Sequence, residues 1–145
     1  MLKGLDPLLN PELLQVLAAM GHGDEIVVAD ANFPAASVAS RTAHGRTLRC
    51  DAPAPRVVEA ILSVLPVDDF TDDAVRSMAV VGDAAAVPEV VAEAEGLFAR
   101  EGATIVPVER FAFYEAAKRA YAVVQTGERR FYGNFIIRKG VVRPD

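Results

Sequence analysis

One of the chain's two histidines, His22, stands between two glycines in Gly21-His22-Gly23-Asp24-Glu25. The apolar run Ile26-Val27-Val28-Ala29 follows, and the lone carboxylate Asp30 closes it. Imidazole is the side chain whose ordinary pKa lies nearest neutrality, so it can both give and take a proton. Glycine on either side lets the backbone turn tightly and leaves the ring uncrowded. The pattern puts an acid/base group and an acidic hydrogen-bonding group at the two ends of one short rigid element, which points to proton chemistry on a small molecule. A turn histidine without a role, and an Asp making a local bond before Asn32 and Pro34, fit the same residues equally well.

Two further clusters could supply companions. In Arg110-Phe111-Ala112-Phe113-Tyr114-Glu115 the guanidinium offers five fixed donors that could hold several hydroxyl oxygens, and Phe113 or Tyr114 could shape an apolar wall. The competing reading is a helix start with core aromatics. In Tyr132-Gly133-Asn134 a phenol can relay a proton or orient a hydroxyl, and a carboxamide can both donate and accept. The glycine between them allows close backbone approach to a ligand. A turn into an edge strand is the alternative there.

Other chemistries are excluded or disfavoured. Gly21-x-Gly23 is not a dinucleotide loop, because a helix precedes it, a strand follows it, and a third glycine is missing. Two histidines and one cysteine at wide separations match no zinc spacing. No serine-hydrolase elbow or His-Glu-x-x-His helix is present. His44 falls in an unpatterned loop. Cys50 lies beside Asp51, whose charge disfavours a thiolate, so a structural role is expected. The remaining polar candidates suit catalysis without a cofactor or metal.

The elements that must position these groups alternate along the chain. Asn10-Pro11-Glu12 starts a helix with Leu13, Leu14, Leu17 and Met20 on one stripe, and Gly21 stops it. Ile26 to Ala29 reads as a buried strand. Ala35 to Arg49 is poorly patterned and reads as loop with at most one short element. A second helix carries Val57, Val58, Ile61, Leu62 and Leu65, and Met78 to Val81 reads as a strand. Pro88 opens a third helix that ends at Gly102. Thr104 to Val108 is strand-like, a shorter helix runs from about Phe111 to Arg119, and Tyr121 to Thr126 and Phe135 to Arg138 are strands. This alternation predicts an α/β domain, and pairing of the last two strands as an antiparallel hairpin would make its sheet mixed.

Length and charge set the outer bounds. At 145 residues the chain reads as one domain spanning residues 1–145, a size that buries ~68–70% of its unfolded surface. Its 52% hydrophobic content fits either burial between subunits or an ordinary Ala- and Val-rich core. A net charge of -5 argues against nucleic-acid or acidic-membrane partners, and Arg129, Arg130, Arg138, Lys139 and Arg143 read as solvated strand ends. Lys3, Asp6 and Pro7 interrupt any signal peptide, and no stretch approaches the ~18 apolar residues of a membrane span. A cytoplasmic protein is expected.

The same segments, taken together and in order, are similar to the RbsD/FucU family, which holds L-fucose mutarotases and D-ribose pyranases. They are the Leu8 to Met20 helix, Gly21 to Ile26, Asp30-Ala31-Asn32-Phe33-Pro34, Arg110-Phe111 with Phe113-Tyr114-Glu115, Thr126-Gly127-Glu128 and Tyr132-Gly133-Asn134. Arg110, the glycine of Tyr132-Gly133-Asn134 and Asn32-Phe33 resemble the fucose branch rather than the ribose branch. Ala35 to Gly102 is much less distinctive. The resemblance implies a three-layer α/β/α fold with a mixed sheet and interconversion of the α and β anomers of a monosaccharide, L-fucose first. It implies ring-like homo-oligomers, often decamers, with sites near subunit boundaries. His22 would be the proton donor, and Tyr132 or a bound water would handle the anomeric proton. Asp30, Arg110, Tyr132, Gly133 and Asn134 would bind the sugar. A non-catalytic sugar-binding or regulatory protein on the same scaffold is the competing class.

Overall fold

In the computed structural model, which describes residues 1–145, Asn10 starts the first helix as the sequence predicts. Its Oδ1 accepts from the Leu13 N–H at 2.9 Å, and Pro11 occupies a first-turn position where a missing N–H costs nothing. This helix, α1, spans Pro11–Ala19 and is followed by β1 (Glu25–Ala29), α2 (Ala35–Ala39), β2 (Thr47–Cys50) and α3 (Ala54–Leu62). Then come β3 (Val75–Met78), α4 (Glu89–Arg100), β4 (Ile105–Val108), α5 (Arg110–Lys118), β5 (Ala122–Thr126) and β6 (Phe135–Arg138).

The strands form one sheet in the order β2-β5-β1-β6-β3-β4. The pairs β1–β5, β2–β5 and β3–β4 are parallel, whereas β6 runs antiparallel to both β1 and β3. Residues 26–29 of central strand β1 are fully buried, because both faces of the sheet are covered there. Ile26 and Val28 face a core shared with α1, α3 and α4; Val27 and Ala29 face a second core shared with α2 and α5. The expected three-layer α/β/α architecture with a mixed sheet is the one observed.

Three expectations need correction. First, Ala35 to Arg49 is not mostly loop: it contains α2 and part of the edge strand β2. Only Leu48 and Cys50 of β2 point inward, too few for a visible period, and pairing with β5 supplies what the side chains do not. Second, the strand read at Met78 to Val81 is Val75–Met78, with Arg76 interrupting the apolar run that marks a buried strand. Third, β5 and β6 do not form a hairpin, because β1 lies between them.

That third correction positions the site. β5 and β1 are parallel and end at the same edge of the sheet, and antiparallel β6 begins there. The connection 127–134 therefore crosses over the carboxyl end of β1. It is held from beneath by Glu128, whose backbone carbonyl accepts from Ala31 N at 2.8 Å and whose buried carboxylate accepts from Ala54 N at the start of α3. The same carboxylate accepts from Arg130 N, Nε and Nη2 at 3.0, 2.9 and 3.0 Å, and Arg130 reaches on to Glu93 of α4.

Two consequences for stability follow. Phe135, the first residue of β6, is fully buried with its ring centroid 5.8 Å from that of Phe98 on α4. Phe135→Ala should cost about 3–5 kcal/mol in urea unfolding. The Glu128 carboxyl is held down to about 2, first by its side-chain bond to Arg130. Its folded pKa lies below its ordinary value of 4.5, so its contribution is complete above that value and fades as pH falls towards 2. The gap in melting temperature between wild type and Glu128→Gln should therefore narrow from about pH 5 to about pH 2.5.

Candidate functional site

A cleft of about 280 Å³ opens at the carboxyl end of β1, lined by Asp30, Asn32, Phe33, Met78, Val81, Arg110, Tyr114, Phe131, Tyr132 and Asn134. This is the edge of an open α/β sheet where ligands bind, beyond the carboxyl ends of parallel strands. Apolar and aromatic walls with a few convergent polar groups are the usual composition of a small-molecule site. A larger groove of about 620 Å³ lies against Leu5, Pro7, Leu9 and Leu14 near the amino end; of its polar residues Asp6, Asn10 and Gln15, Asp6 is engaged by Leu8 N and Arg56 and Asn10 caps α1.

Asp30 and Asn134 form the floor. Both are 3% exposed. Asn134 Oδ1 accepts from Asp30 N at 2.9 Å, and Asn134 Nδ2 donates to Asp30 Oδ2 at 3.1 Å. Asp30 Oδ1 accepts from Asn32 N at 2.9 Å, the local turn bond anticipated as an alternative to a ligand role. Burial pushes the Asp30 carboxyl up, and the bonds from Asn32, Asn134, Phe33 and Gly133 offset it only in part. A carboxyl poised in this way suits both hydroxyl binding and proton transfer.

Tyr132 is the wall. It is the only non-glycine residue with positive φ, at 65°. Such a conformation in a bulky residue is uncommon, and it marks a place where the surroundings hold the chain in a strained state. Its phenol oxygen accepts from Val81 N at 3.2 Å, which leaves the hydroxyl proton free to donate elsewhere. Gly133 beside it is required by space: a Cβ there would lie 2.8 Å from Glu128 Cγ and 3.4 Å from Asp30 Cβ.

Arg110 guards the mouth. Glu109 caps α5 by accepting from Phe111 N and Ala112 N, both at 3.0 Å, so Arg110 is the first helical residue. Its Nε donates to Tyr114 Oη at 3.4 Å, and its guanidinium sits over the Tyr114 and Phe111 rings at 5.6 and 5.7 Å. Phe113, by contrast, is fully buried in the core and lines nothing.

His22 is elsewhere. The chain brings Asp30, Arg110, Tyr132, Gly133 and Asn134 together, but His22 lies at the opposite end of β1, about 16 Å of strand away. There its Nε2 is 3.2 Å from Asp68 Oδ1, and its ring centroid is 5.3 Å from that of the exposed Phe70. Burial opposes the charge on Asp68, yet bonds from Phe70 N and His22 outweigh it and hold the carboxyl below its ordinary range. The carboxylate orients a half-exposed imidazole, an arrangement suited to proton transfer. Cys50 is buried with its thiol pushed up first by that burial, as a structural role requires.

Sequence reasoning did not single out Asp68, Met78 or Val81. Asp68 lies in Val67-Asp68-Asp69-Phe70, a stretch without pattern, and nothing local ties it to His22. Met78 is the last residue of β3 and reaches the cleft for the same topological reason as Asp30; correct strand bounds would have exposed it. No group of three or more His, Cys, Asp or Glu residues could hold a metal ion, and no helix is long and apolar enough to cross a membrane.

The RbsD / FucU transport protein family matches residues 3–142. A human protein named fucose mutarotase is 44% identical over 97% of this chain and 94% of its own length. An L-fucose mutarotase of Glaesserella parasuis is 46% identical over 97% and 96%. The fucose mutarotase of Streptococcus pneumoniae, solved in complex with L-fucose, superposes with a TM-score of 0.87 at 39% identity, covering 98% of this chain and all of that one. With motif order, sheet topology and full-length similarity in agreement, this chain belongs to the RbsD/FucU family.

Proposed function

We propose that this chain, as one domain, interconverts the α and β anomers of L-fucose or a closely related monosaccharide. The observation that carries this is the convergence of Asp30, Arg110, Tyr132 and Asn134 on one cleft, in a chain that resembles named fucose mutarotases from end to end. Mutarotation breaks the bond between the anomeric carbon and the ring oxygen, turns the aldehyde, and closes the ring on its other face. One proton must reach the ring oxygen and one must leave the anomeric hydroxyl. Positioned acid and base groups contribute ~10²–10⁴-fold each. A reaction that already proceeds in water needs no cofactor beyond them.

In this reading Asp30 and Asn134 accept and donate to sugar hydroxyls, Arg110 fixes the hydroxyl pattern, and the Gly133 backbone allows close approach. Tyr132, its oxygen already bonded to Val81 N, handles the anomeric proton. His22 gives the proton to the ring oxygen, oriented by Asp68. Because His22 and the cleft occupy opposite ends of β1, the reading requires a homo-oligomer in which His22 of one copy meets the cleft of the next. Exposed Phe70 beside His22, and exposed Val81, Phe111 and Phe131 around the cleft, supply apolar surface for such a contact. A head-to-tail contact of two different patches gives a ring when its rotation closes, for which the family's decamers are the precedent. A cytoplasmic setting suits an enzyme acting on a free sugar.

His22→Ala should keep L-fucose binding by calorimetry but lose at least ~10²-fold in anomer exchange, read by magnetisation transfer between the two anomeric proton signals. Refolding His22→Ala together with Tyr132→Phe should restore activity that neither variant has alone. Exchange by His22→Ala at the wild-type rate would remove the proton-donor role, and no restoration in the mixture would remove the shared site. A wild-type rate equal to buffer would favour a non-catalytic sugar-binding protein.

A further inference from the structure

Glu128 carries more polar contacts than any helix cap needs, and none of them is to the cleft, whose lining does not include it. Its carboxylate is 4% exposed and accepts four N–H bonds, from Ala54 N and from Arg130 N, Nε and Nη2. Arg130 is itself forked onto Glu93 of α4, with Nη1 and Nη2 at 2.6 and 3.0 Å from the two carboxylate oxygens. On the backbone side, Glu128 N donates to Thr126 Oγ1 at 3.1 Å, and that hydroxyl donates to Ala29 O at 2.8 Å. Glu128 O accepts from Ala31 N, next to Asp30. One residue thus ties the end of β1, the start of α3 and, through Arg130, α4 to the connection that bears Tyr132.

The mechanical link to the cleft is Gly133. A Cβ at that position would come within 2.8 Å of Glu128 Cγ and 3.4 Å of both Asp30 Cβ and Val90 Cγ2. The Gly133 backbone therefore rests on the Glu128 methylenes, and its two neighbours are the two cleft residues Tyr132 and Asn134. Tyr132 adopts its left-handed conformation at φ 65°. A strained tyrosine persists only where the surroundings over-determine it.

We propose that Glu128, locked by Arg130, is a positioning residue for sugar turnover: it holds Gly133 and thereby sets Tyr132 and Asn134 at the geometry the reaction needs. It acts through those residues and does not touch the sugar. Displacements of about 1 Å at a reacting group cost up to ~10²-fold in rate. Replacing one carboxylate oxygen by an amide would set an N–H donor against those of Arg130 and release the loop by shifts of that order. The inference rests on the mutarotase reading for its kinetic part and on the geometry alone for its structural part.

The test uses the full chain with Glu128→Gln, a near-isosteric change, assayed for L-fucose anomer exchange well below its own melting temperature. Expected is a ~10–10²-fold loss in kcat/KM with native circular dichroism. Combined with Tyr132→Phe, the loss should fall well short of the product of the two single losses, because both act through the same hydroxyl. Arg130→Lys should retain more activity than Arg130→Met at matched stability, and these variants carry the test if Glu128→Gln does not fold. A lowered melting temperature with kcat/KM within about twofold of wild type, or losses that multiply to within about twofold, would show a purely structural role and overturn the proposal. Amide exchange of Gly133, whose N–H bonds to Asp30, and of Ala31, whose N–H donates to Glu128 O, gives a readout free of the activity and should accelerate at least ~10-fold in Glu128→Gln. Unchanged amide exchange overturns the positioning role even if wild type proves not to turn over L-fucose, a failure that would count against the function alone.

Discussion

The structure turns on the reciprocal pair between Asp30 and Asn134. The carboxamide satisfies the last backbone N–H at the end of β1 and one carboxylate oxygen, with both partners buried. Leaving a buried polar group unpaired costs about 1–3 kcal/mol, more for a charge, so neither partner can be lost alone without a large penalty. The pair fixes where β6 starts relative to where β1 ends. The antiparallel register Val28↔Phe135 continues directly from that placement, and both side chains face the core shared with α1, α3 and α4. The cleft is the solvent-facing side of the same bond network, so the groups that would meet a ligand are also those that join two central strands.

β1 presents a carboxylate environment of opposite character at each end. Beyond its carboxyl end Asp30 is pushed up by burial, with hydrogen bonds that offset only part of the cost. Beyond its amino end Asp68 meets burial too, but Phe70 N and His22 hold it down. A raised carboxyl can share or take a proton, and a depressed one serves as a fixed negative partner for an imidazole. In the proposed reaction the proton donor His22 and the cleft lie at these two ends of β1, which is why that reading calls for two copies of the chain.

Much of this was legible beforehand, and the limits have physical causes. Helices α1 and α4 announced themselves through caps and stripes, because Asn10, Pro11 and Pro88 act on their own local backbone. β1 and β6 were visible as apolar runs. β2 was not, since half of its side chains face solvent at the sheet edge and its strand character comes from pairing with β5. β3 was displaced in the sequence reading because Arg76, ion-paired with Glu25, breaks the run. Among cleft residues Asp30, Arg110, Tyr132, Gly133 and Asn134 stood out by chemical type, whereas Met78 and Val81 carry no signal except their place at the sheet edge.

The opening motif separates what each level decides. From sequence alone, a glycine-flanked His22 and a terminal Asp30 stand at the two ends of one rigid apolar strand, and the chemistry available to each is that of its side chain. Those properties are local, set by residue type, spacing and the period of a strand. Which groups become neighbours is not local. The insertion of β1 between β5 and β6 carries Tyr132, Gly133 and Asn134 over Asp30, and the loop after α3 brings Asp68 to His22. Sheet order is settled by which strands bury the most surface together across separations of about a hundred residues, as the 104 between Asp30 and Asn134 illustrates. No short-range pattern encodes that competition, so only the tertiary structure could decide which groups each end of the motif meets.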